Sequence, residues 1–136
     1  MSDAVPALGY TILYVEDVAA ALDFYERAFG LARRFFHDED GKAYGELETG
    51  ATRLAFASLT LAAELLGKSP VMPDPVGAPL SFEIALTIAD VPALYARALA
   101  AGATSIKPPA QKPWGQTVAY VRDAAGYLVE LCTPMP

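Results

Sequence analysis

The two halves of this chain repeat one residue pattern, and this repeat restricts the folds that the chain can adopt. Residues 10–18, YTILYVEDV, align without a gap with residues 83–91, EIALTIADV, at an offset of 73 positions. The matching pairs are Leu13 with Leu86, Val15 with Ile88, Asp17 with Asp90, and Val18 with Val91. A strand-like segment that occurs twice and ends each time in Asp-Val predicts two related structural modules.

Each Asp-Val pair is followed by apolar residues at the spacing of an amphipathic helix. Asp17 and Asp90 are suited to cap the helix starts, and Gly30 and Gly102 are suited to end the helices in the left-handed conformation. The apolar positions are Val18, Ala21, Leu22, Tyr25, Ala28 and Phe29 in the first half, and Val91, Leu94, Tyr95 and Ala98 in the second.

Each half then continues with an extended run and a hairpin. The runs are LARRFFH and ATSIKPP, and the hairpins are AYGELE with TRLAFAS and TVAYVR with YLVELCT. The second hairpin contains DAAG at 123–126, which has the residues of a tight turn. Both halves therefore read strand, helix, strand, strand, strand, and the predicted fold class is α+β with two tandem βαβββ modules.

The length and composition favour one domain. The chain has 136 residues, of which 54% are hydrophobic, and we expect a single domain over 1–136. Module one covers about 8–58, a connector that ends rich in Pro and Gly covers 59–80, and module two covers about 81–134. Neither half is large enough to close a core alone, so we expect the two to combine.

Charge and cysteine content exclude several partner classes. The net charge of −6 argues against nucleic acid and anionic membranes as partners, and favours neutral or cationic ligands. Cys132 is the one cysteine, so an internal disulfide or a thiolate zinc cluster is excluded. No apolar run approaches the ~20 residues of a membrane span, and Met1–Gly9 lacks the features of a signal peptide. We therefore expect a cytoplasmic protein.

The duplicated pattern resembles the vicinal oxygen chelate superfamily, which includes glyoxalase I, extradiol dioxygenases, fosfomycin-modifying enzymes and bleomycin-resistance proteins. The resemblance extends from about Tyr10 to Pro134, and its most specific parts are the repeat itself, YVEDVAAALDFYERAFGL and PWGQTVAYVRDAAGYLVEL. It implies that the two modules form a curved mixed sheet around a shared cleft. It also implies that enzymatic members hold one divalent metal there, through the first and last strand of each module.

The family's four metal positions are degenerate in this chain. The first-strand positions fall on Tyr10 and Glu83, and the last-strand positions fall on Ala55 and Glu130. Only Glu130 keeps the residue type that the family usually has there. The one histidine of the chain, His37, lies elsewhere. The resemblance therefore implies no resident metal or other cofactor, or at most a weakly held divalent cation such as Mg²⁺ or Mn²⁺ on oxygen ligands.

These residues restrict the chemistry. An iron site built on two histidines and one carboxylate cannot be assembled from one histidine, so extradiol dioxygenase activity is excluded. The histidine-rich site of the fosfomycin thiol transferases is excluded for the same reason. A glyoxalase-type lyase or isomerase with Glu83 and Glu130 as candidate catalytic residues stays open.

Strand alternation predicts a mixed aromatic and charged face that is suited to small-molecule binding. Two structural alternatives stay open: the two glutamates could pair with Arg53 or Arg122, and the tryptophan could anchor its loop. The candidate ligand-binding residues are Tyr10, Tyr14, Tyr44, Arg53, Glu83, Trp114, Tyr120 and Glu130.

Three functions fit these observations. The favoured one is a metal-free protein that binds an aromatic or cationic small molecule, in the manner of bleomycin-resistance proteins. The second is a metal-dependent enzyme of the glyoxalase type, and the third is an accessory module whose cleft is vestigial. Because members of the superfamily often dimerise, we expect a homodimer.

Overall fold

The computed structural model describes residues 4–136 and contains two four-stranded sheets and three helices. The elements of module one are β1 (Tyr10–Val15), α1 (Val18–Phe29), β2 (Arg33–Glu39), β3 (Lys42–Leu47) and β4 (Arg53–Ser58). Helix α2 (Leu59–Leu66) follows, and module two contains β5 (Ile84–Thr87), α3 (Val91–Ala100), β6 (Thr104–Gln111), β7 (Thr117–Arg122) and β8 (Leu128–Cys132).

The two sheets have the same topology, which confirms the duplicated fold. The strand order is β1-β4-β3-β2 in the first sheet and β5-β8-β7-β6 in the second. The first strand of each module pairs in parallel with the last, and the remaining neighbours are antiparallel. The predicted α+β class and the two tandem βαβββ modules are therefore correct.

The ends of the repeated helices follow the local sequence signals. The Oδ1 atom of Asp17 accepts a hydrogen bond from the backbone N–H of Ala20 at 3.0 Å, and Asp90 caps α3 in the same way through Ala93 at 3.1 Å. Gly30 lies beyond α1 with φ of +73°, a conformation that glycine adopts without strain. The caps that the sequence predicts are thus present at the start of both helices.

The described residues form two compact units, and helix α1 is divided between them. The first unit contains the chain up to Leu22 and Leu31–Val71, and the second contains Asp23–Gly30 and Met72–Pro136. Each unit has its own buried apolar side chains. These include Leu13, Leu22, Leu47 and Phe56 in the first unit, and Tyr25, Val91, Val121, Val129 and Leu131 in the second.

The connector differs from the sequence prediction because it begins with a helix. The Ser58 hydroxyl accepts a hydrogen bond from the backbone N–H of Leu61 at 3.2 Å and so caps α2, which ends at Gly67 with φ of +82°. The polar residues of α2, Thr60 and Glu64, are four positions apart and so lie on one side of a short helix that is otherwise apolar. Among residues 4–136, no helix has the length and apolar content needed to cross a membrane.

Candidate functional site

The sheet of module two brings three of the predicted site residues together. Glu130, on β8, is the register partner of Ala85 on β5 and of Tyr120 on β7. Glu83 lies one residue before β5, and its side chain is hydrogen-bonded to that of Glu130. We call Glu83 and Glu130 the carboxyl pair.

The carboxyl pair shares a proton near neutral pH. The hydrogen bond with Glu130 is the main cause that raises the pKa of Glu83 to about 7, and partial burial and the charge of Glu130 add to the effect. Burial and the same two carboxylates also raise the pKa of Tyr120, which keeps its phenol protonated. Within residues 4–136, neither member of the pair forms an ion pair with Lys or Arg.

Both arginines that the sequence offered as partners for the carboxyl pair bind elsewhere. The side chain of Arg122 is buried and donates to the backbone carbonyls of Asp74, at 2.6 Å, and Gly77. Arg53 donates from Nη1 to Glu48 at 2.7 Å. The carboxyl pair therefore stays available to a ligand.

Cys132 is a neighbour of the carboxyl pair but is not a reactive thiol. Burial, followed by the hydrogen bond with Glu130, raises the pKa of this thiol to about 11. A thiol with this pKa is fully protonated at neutral pH and is a poor nucleophile.

Trp114 lies in the turn between β6 and β7, and its side chain is anchored there by hydrogen bonds. Its indole N–H donates to the Gln116 side chain at 2.8 Å, and Gln116 in turn donates to the backbone carbonyl of Thr133 at 2.7 Å. The side chain of Gln116 is buried, whereas Trp114 is 56% exposed. The ring is therefore held in one orientation and keeps an open surface for stacking.

The sheet of module one places the other predicted residues on one face. Tyr10 is the register partner of Arg53, and both Tyr14 and Tyr44 are register partners of Ala57. Ala57 is buried between the two tyrosine-bearing strands. The aromatic residues of module one thus line a sheet face whose central strand, β4, carries small side chains.

Glu46 and Arg34 belong to a polar network on this face that the list of site residues did not include. Tyr44 donates its hydroxyl to Glu46 at 2.7 Å, and Nε of Arg34 donates to the same carboxylate at 3.2 Å. Burial and the bond to Glu46 raise the pKa of Tyr44. Strand alternation in the sequence places Glu46 on this face, but a break in register between Arg33 and Phe35 obscures the position of Arg34.

The residues at the family's metal positions do not fit a site of the usual composition. Ala55 is fully buried and offers no donor atom, and Tyr10 offers a phenol. His37 lies on β2, opposite Tyr44 on β3. Within residues 4–136, no group of three or more His, Cys, Asp or Glu side chains could hold a metal ion. A site with two histidines and a carboxylate is incompatible with this set.

Comparison with known proteins assigns the family. A protein of Mycobacterium bovis, described as uncharacterized, is 32% identical over 129 residues, which cover 90% of this chain and 80% of the relative. A glyoxalase-related enzyme from Fulvimarina pelagi has a similar structure, with a TM-score of 0.79, 22% identity, and coverage of 96% of this chain and 89% of that chain.

A second solved structure, a glyoxalase/bleomycin resistance protein/dioxygenase family enzyme from Burkholderia phytofirmans PsJN, gives a TM-score of 0.76. Its identity is 22%, and the match covers 94% of this chain and 98% of that chain. At this identity, the structural matches support the fold alone. The family model of the glyoxalase/bleomycin resistance protein/dioxygenase superfamily matches residues 7–131. The chain therefore belongs to the glyoxalase/bleomycin resistance protein/dioxygenase superfamily.

Proposed function

We propose that this protein binds a small organic cation with an aromatic part, and that the carboxyl pair of module two receives the positive charge. The observation that carries the proposal is that Glu83 and Glu130 bond to each other and to no basic side chain within the described residues. Two close carboxylates repel each other unless a proton or another cation lies between them. A ligand cation can replace that proton.

Aromatic side chains in module two supply the second part of the recognition. Tyr120 lies beside Glu130 in the sheet, and Trp114 presents an oriented and exposed indole ring. Aromatic rings attract cations through their faces and stack on flat ligands. Together with the acidic charge, these groups favour a ligand that is both flat and positively charged.

The proposed binding needs no metal or other cofactor. A metal ion would supply positive charge that binds an anionic substrate. A cationic ligand brings its own positive charge to the carboxyl pair, so no metal is needed. The missing donor at Ala55 supports this part of the proposal.

The direct test compares the binding of benzyltrimethylammonium with that of neutral benzyl alcohol by calorimetry. Glu130→Gln should weaken binding of the cation about tenfold, the size of one charge interaction at a partly exposed site, and leave the neutral ligand unchanged. The matched control is Glu64→Gln, which removes one exposed carboxylate of helix α2 in the connector. Equal losses for both ligands would mean that Glu130 has a structural role only.

The pH dependence gives a second test of the same proposal. Because Glu83 releases its proton near pH 7, cation affinity should rise between pH 6 and pH 8 in the natural protein. In Glu83→Gln this rise should be absent. A cation affinity that is independent of pH in the natural protein would contradict the proposal.

One observation favours an alternative function, a lyase or isomerase of the glyoxalase type. A carboxyl group with a pKa near 7 has the acid–base strength that a general base needs at neutral pH, and Glu83 has this property. The test is to titrate the protein with Mn²⁺, Ni²⁺ and Zn²⁺. Binding of about one metal per chain, lost in Glu130→Ala, would favour the enzyme; no binding would favour the metal-free protein.

A further inference from the structure

We propose that the sheet of module one contains a second binding site, which takes an aromatic carboxylate through Arg34 and Arg53. Arg34 belongs to β2 and Arg53 to β4, the two strands on either side of β3. Both side chains reach Glu48, which follows β3, with Arg53 Nη1 at 2.7 Å and Arg34 Nη1 at 3.5 Å from its carboxylate oxygens. Two guanidinium groups from separate strands therefore converge on one carboxylate.

The two guanidinium groups keep donors that no protein group uses. A guanidinium carries five N–H donors in a planar fork. Within residues 4–136, Arg34 bonds through Nε and Nη1, to Glu46 and Glu48, and the Arg53 side chain bonds through Nη1 alone. The remaining N–H groups can donate to an added carboxylate in a bidentate arrangement.

The side chains around this arginine pair favour an aromatic ring next to the carboxylate. Tyr10 is the register partner of Arg53 and is 56% exposed. Phe35 follows Arg34 in the chain, is 45% exposed, and lies 5.7 Å from the ring of Tyr44. Exposed aromatic residues at positions next to both arginines match a flat ligand that carries one negative charge.

Glu48 binds both arginines and therefore competes with a ligand carboxylate for them. The Glu48 side chain is 52% exposed, so it can swing into solvent when a ligand carboxylate takes its place. Because exposed ion pairs of this kind are weak, displacing Glu48 from the arginines costs little free energy. The presence of a ligand-like carboxylate at this position also shows which chemical group the arginines can hold.

The test measures benzoate binding to the full chain by calorimetry or by NMR shifts. Glu48→Gln removes the competing charge and should tighten benzoate binding about two- to fivefold, as expected for the loss of an exposed ion pair. Arg53→Gln should weaken binding about tenfold, and Arg53→Lys should recover only part of that loss because lysine lacks the planar fork. Glu16→Gln, which removes an exposed carboxylate in the same unit, is the matched control for net charge.

Two results would overturn this inference. One is benzoate affinity that does not exceed that of benzyl alcohol. The other is a Glu48→Gln variant that binds benzoate no more tightly than the Glu16→Gln control does. The inference rests on module one alone, so a failure here leaves the cation binding proposed for Glu83 and Glu130 untouched, and a failure there leaves this site untouched.

Discussion

At the scale of the single residue, Glu83 is a largely exposed carboxyl group whose proton affinity depends mainly on one neighbour, Glu130. Its pKa of about 7 lies well above the ordinary value of 4.5 because Glu130 holds the proton in a shared hydrogen bond. The folded protein therefore binds this proton more tightly than the unfolded chain does. The stability that results is fully present below pH 4.5 and is lost as the pH rises to about 7.

We predict from this that the natural protein loses stability between pH 5 and pH 8 through Glu83. The comparison is the urea midpoint of the natural protein against that of Glu83→Gln, which carries no titrating group at this position. The natural protein should lose more stability over this range than the variant does. Parallel pH profiles for the two proteins would show that the pKa of Glu83 is not raised.

The hydroxyl of Tyr25 contributes to stability because it is the buried partner of a buried carboxyl group. It donates to Oδ2 of Asp123 at 2.6 Å, and both side chains are buried. Burial raises the pKa of Asp123, whereas the bonds from Tyr25 and from the turn N–H groups oppose that rise. Without Tyr25, a buried carboxyl group would keep only its backbone donors.

Tyr25→Phe should therefore lower the free energy of unfolding by about 1–3 kcal/mol, the cost of a buried polar group that loses a partner. The matched control is Tyr95→Phe, which removes the exposed hydrogen bond between Tyr95 and Ser105 and should cost less than about 0.5 kcal/mol. Urea unfolding measures both values. Equal costs would mean that the Tyr25 hydroxyl stabilises the fold no more than a surface hydroxyl does.

At the scale of the element, helices α1 and α3 cap each other's carboxyl ends. Arg97 of α3 donates to the carbonyls of Arg27, at 2.8 Å, and Glu26, at 3.2 Å, in the last turn of α1. Arg27 donates in return to the carbonyl of Ala101 at 3.2 Å. The carbonyls of the last helical turn carry the negative end of the helix dipole, so the arginines stabilise both ends.

Gly30 is required both by its own backbone and by Arg97. Its φ is +73°, and a Cβ atom placed on it would lie 2.9 Å from Nη1 of Arg97. We predict that Gly30→Ala costs about 1–2 kcal/mol from the left-handed backbone alone, with an added cost for the displaced arginine. In an Arg97→Ala background the added cost should vanish, so the double variant should be more stable than the two single losses together imply. Strictly additive losses in a double-mutant cycle would contradict this coupling.

At the scale of the whole molecule, the boundary between the units does not follow the boundary between the repeats. Asp23–Gly30 belong to the helix of module one but group with Met72–Pro136. The contact between Tyr25 and Asp123 and the mutual caps of Arg27 and Arg97 all depend on this segment. A fragment that contains only module two lacks these residues.

We therefore predict that fragments 1–71 and 72–136 fail to fold when each is produced alone. Circular dichroism should show no cooperative melting for either fragment, and mixing the two should restore it. The control is the full chain cleaved at an inserted protease site between residues 71 and 72, which should keep its melting transition. Cooperative melting of fragment 72–136 alone would refute the prediction.

Self-association is a further property of the whole molecule, and we predict a homodimer. The prediction rests on the superfamily resemblance of the sequence, and the apolar content of 54% is compatible with a buried interface. Light scattering coupled to size exclusion should give twice the monomer mass at micromolar concentration. A monomer mass under those conditions would contradict it.

Local sequence patterns were sufficient to predict the repeated fold. Helical periodicity and the caps at Asp17 and Asp90 depend on residues three or four positions apart, and strand alternation depends on every second residue. These signals act within one element, so the sequence by itself determined the order of the elements within each module and the residues that share a sheet face, but not helix α2.

The tertiary structure decided which partners those residues have. Asp123 lies 98 positions from Tyr25, and Asp74 lies 48 positions from Arg122, so no local pattern could join them. The break in register before Phe35 brought Arg34 to Glu46, although alternation alone did not. A side chain's hydrogen-bond partner is set by which distant segments the folded backbone brings within about 3 Å, and periodicity within one element carries no information about that distance.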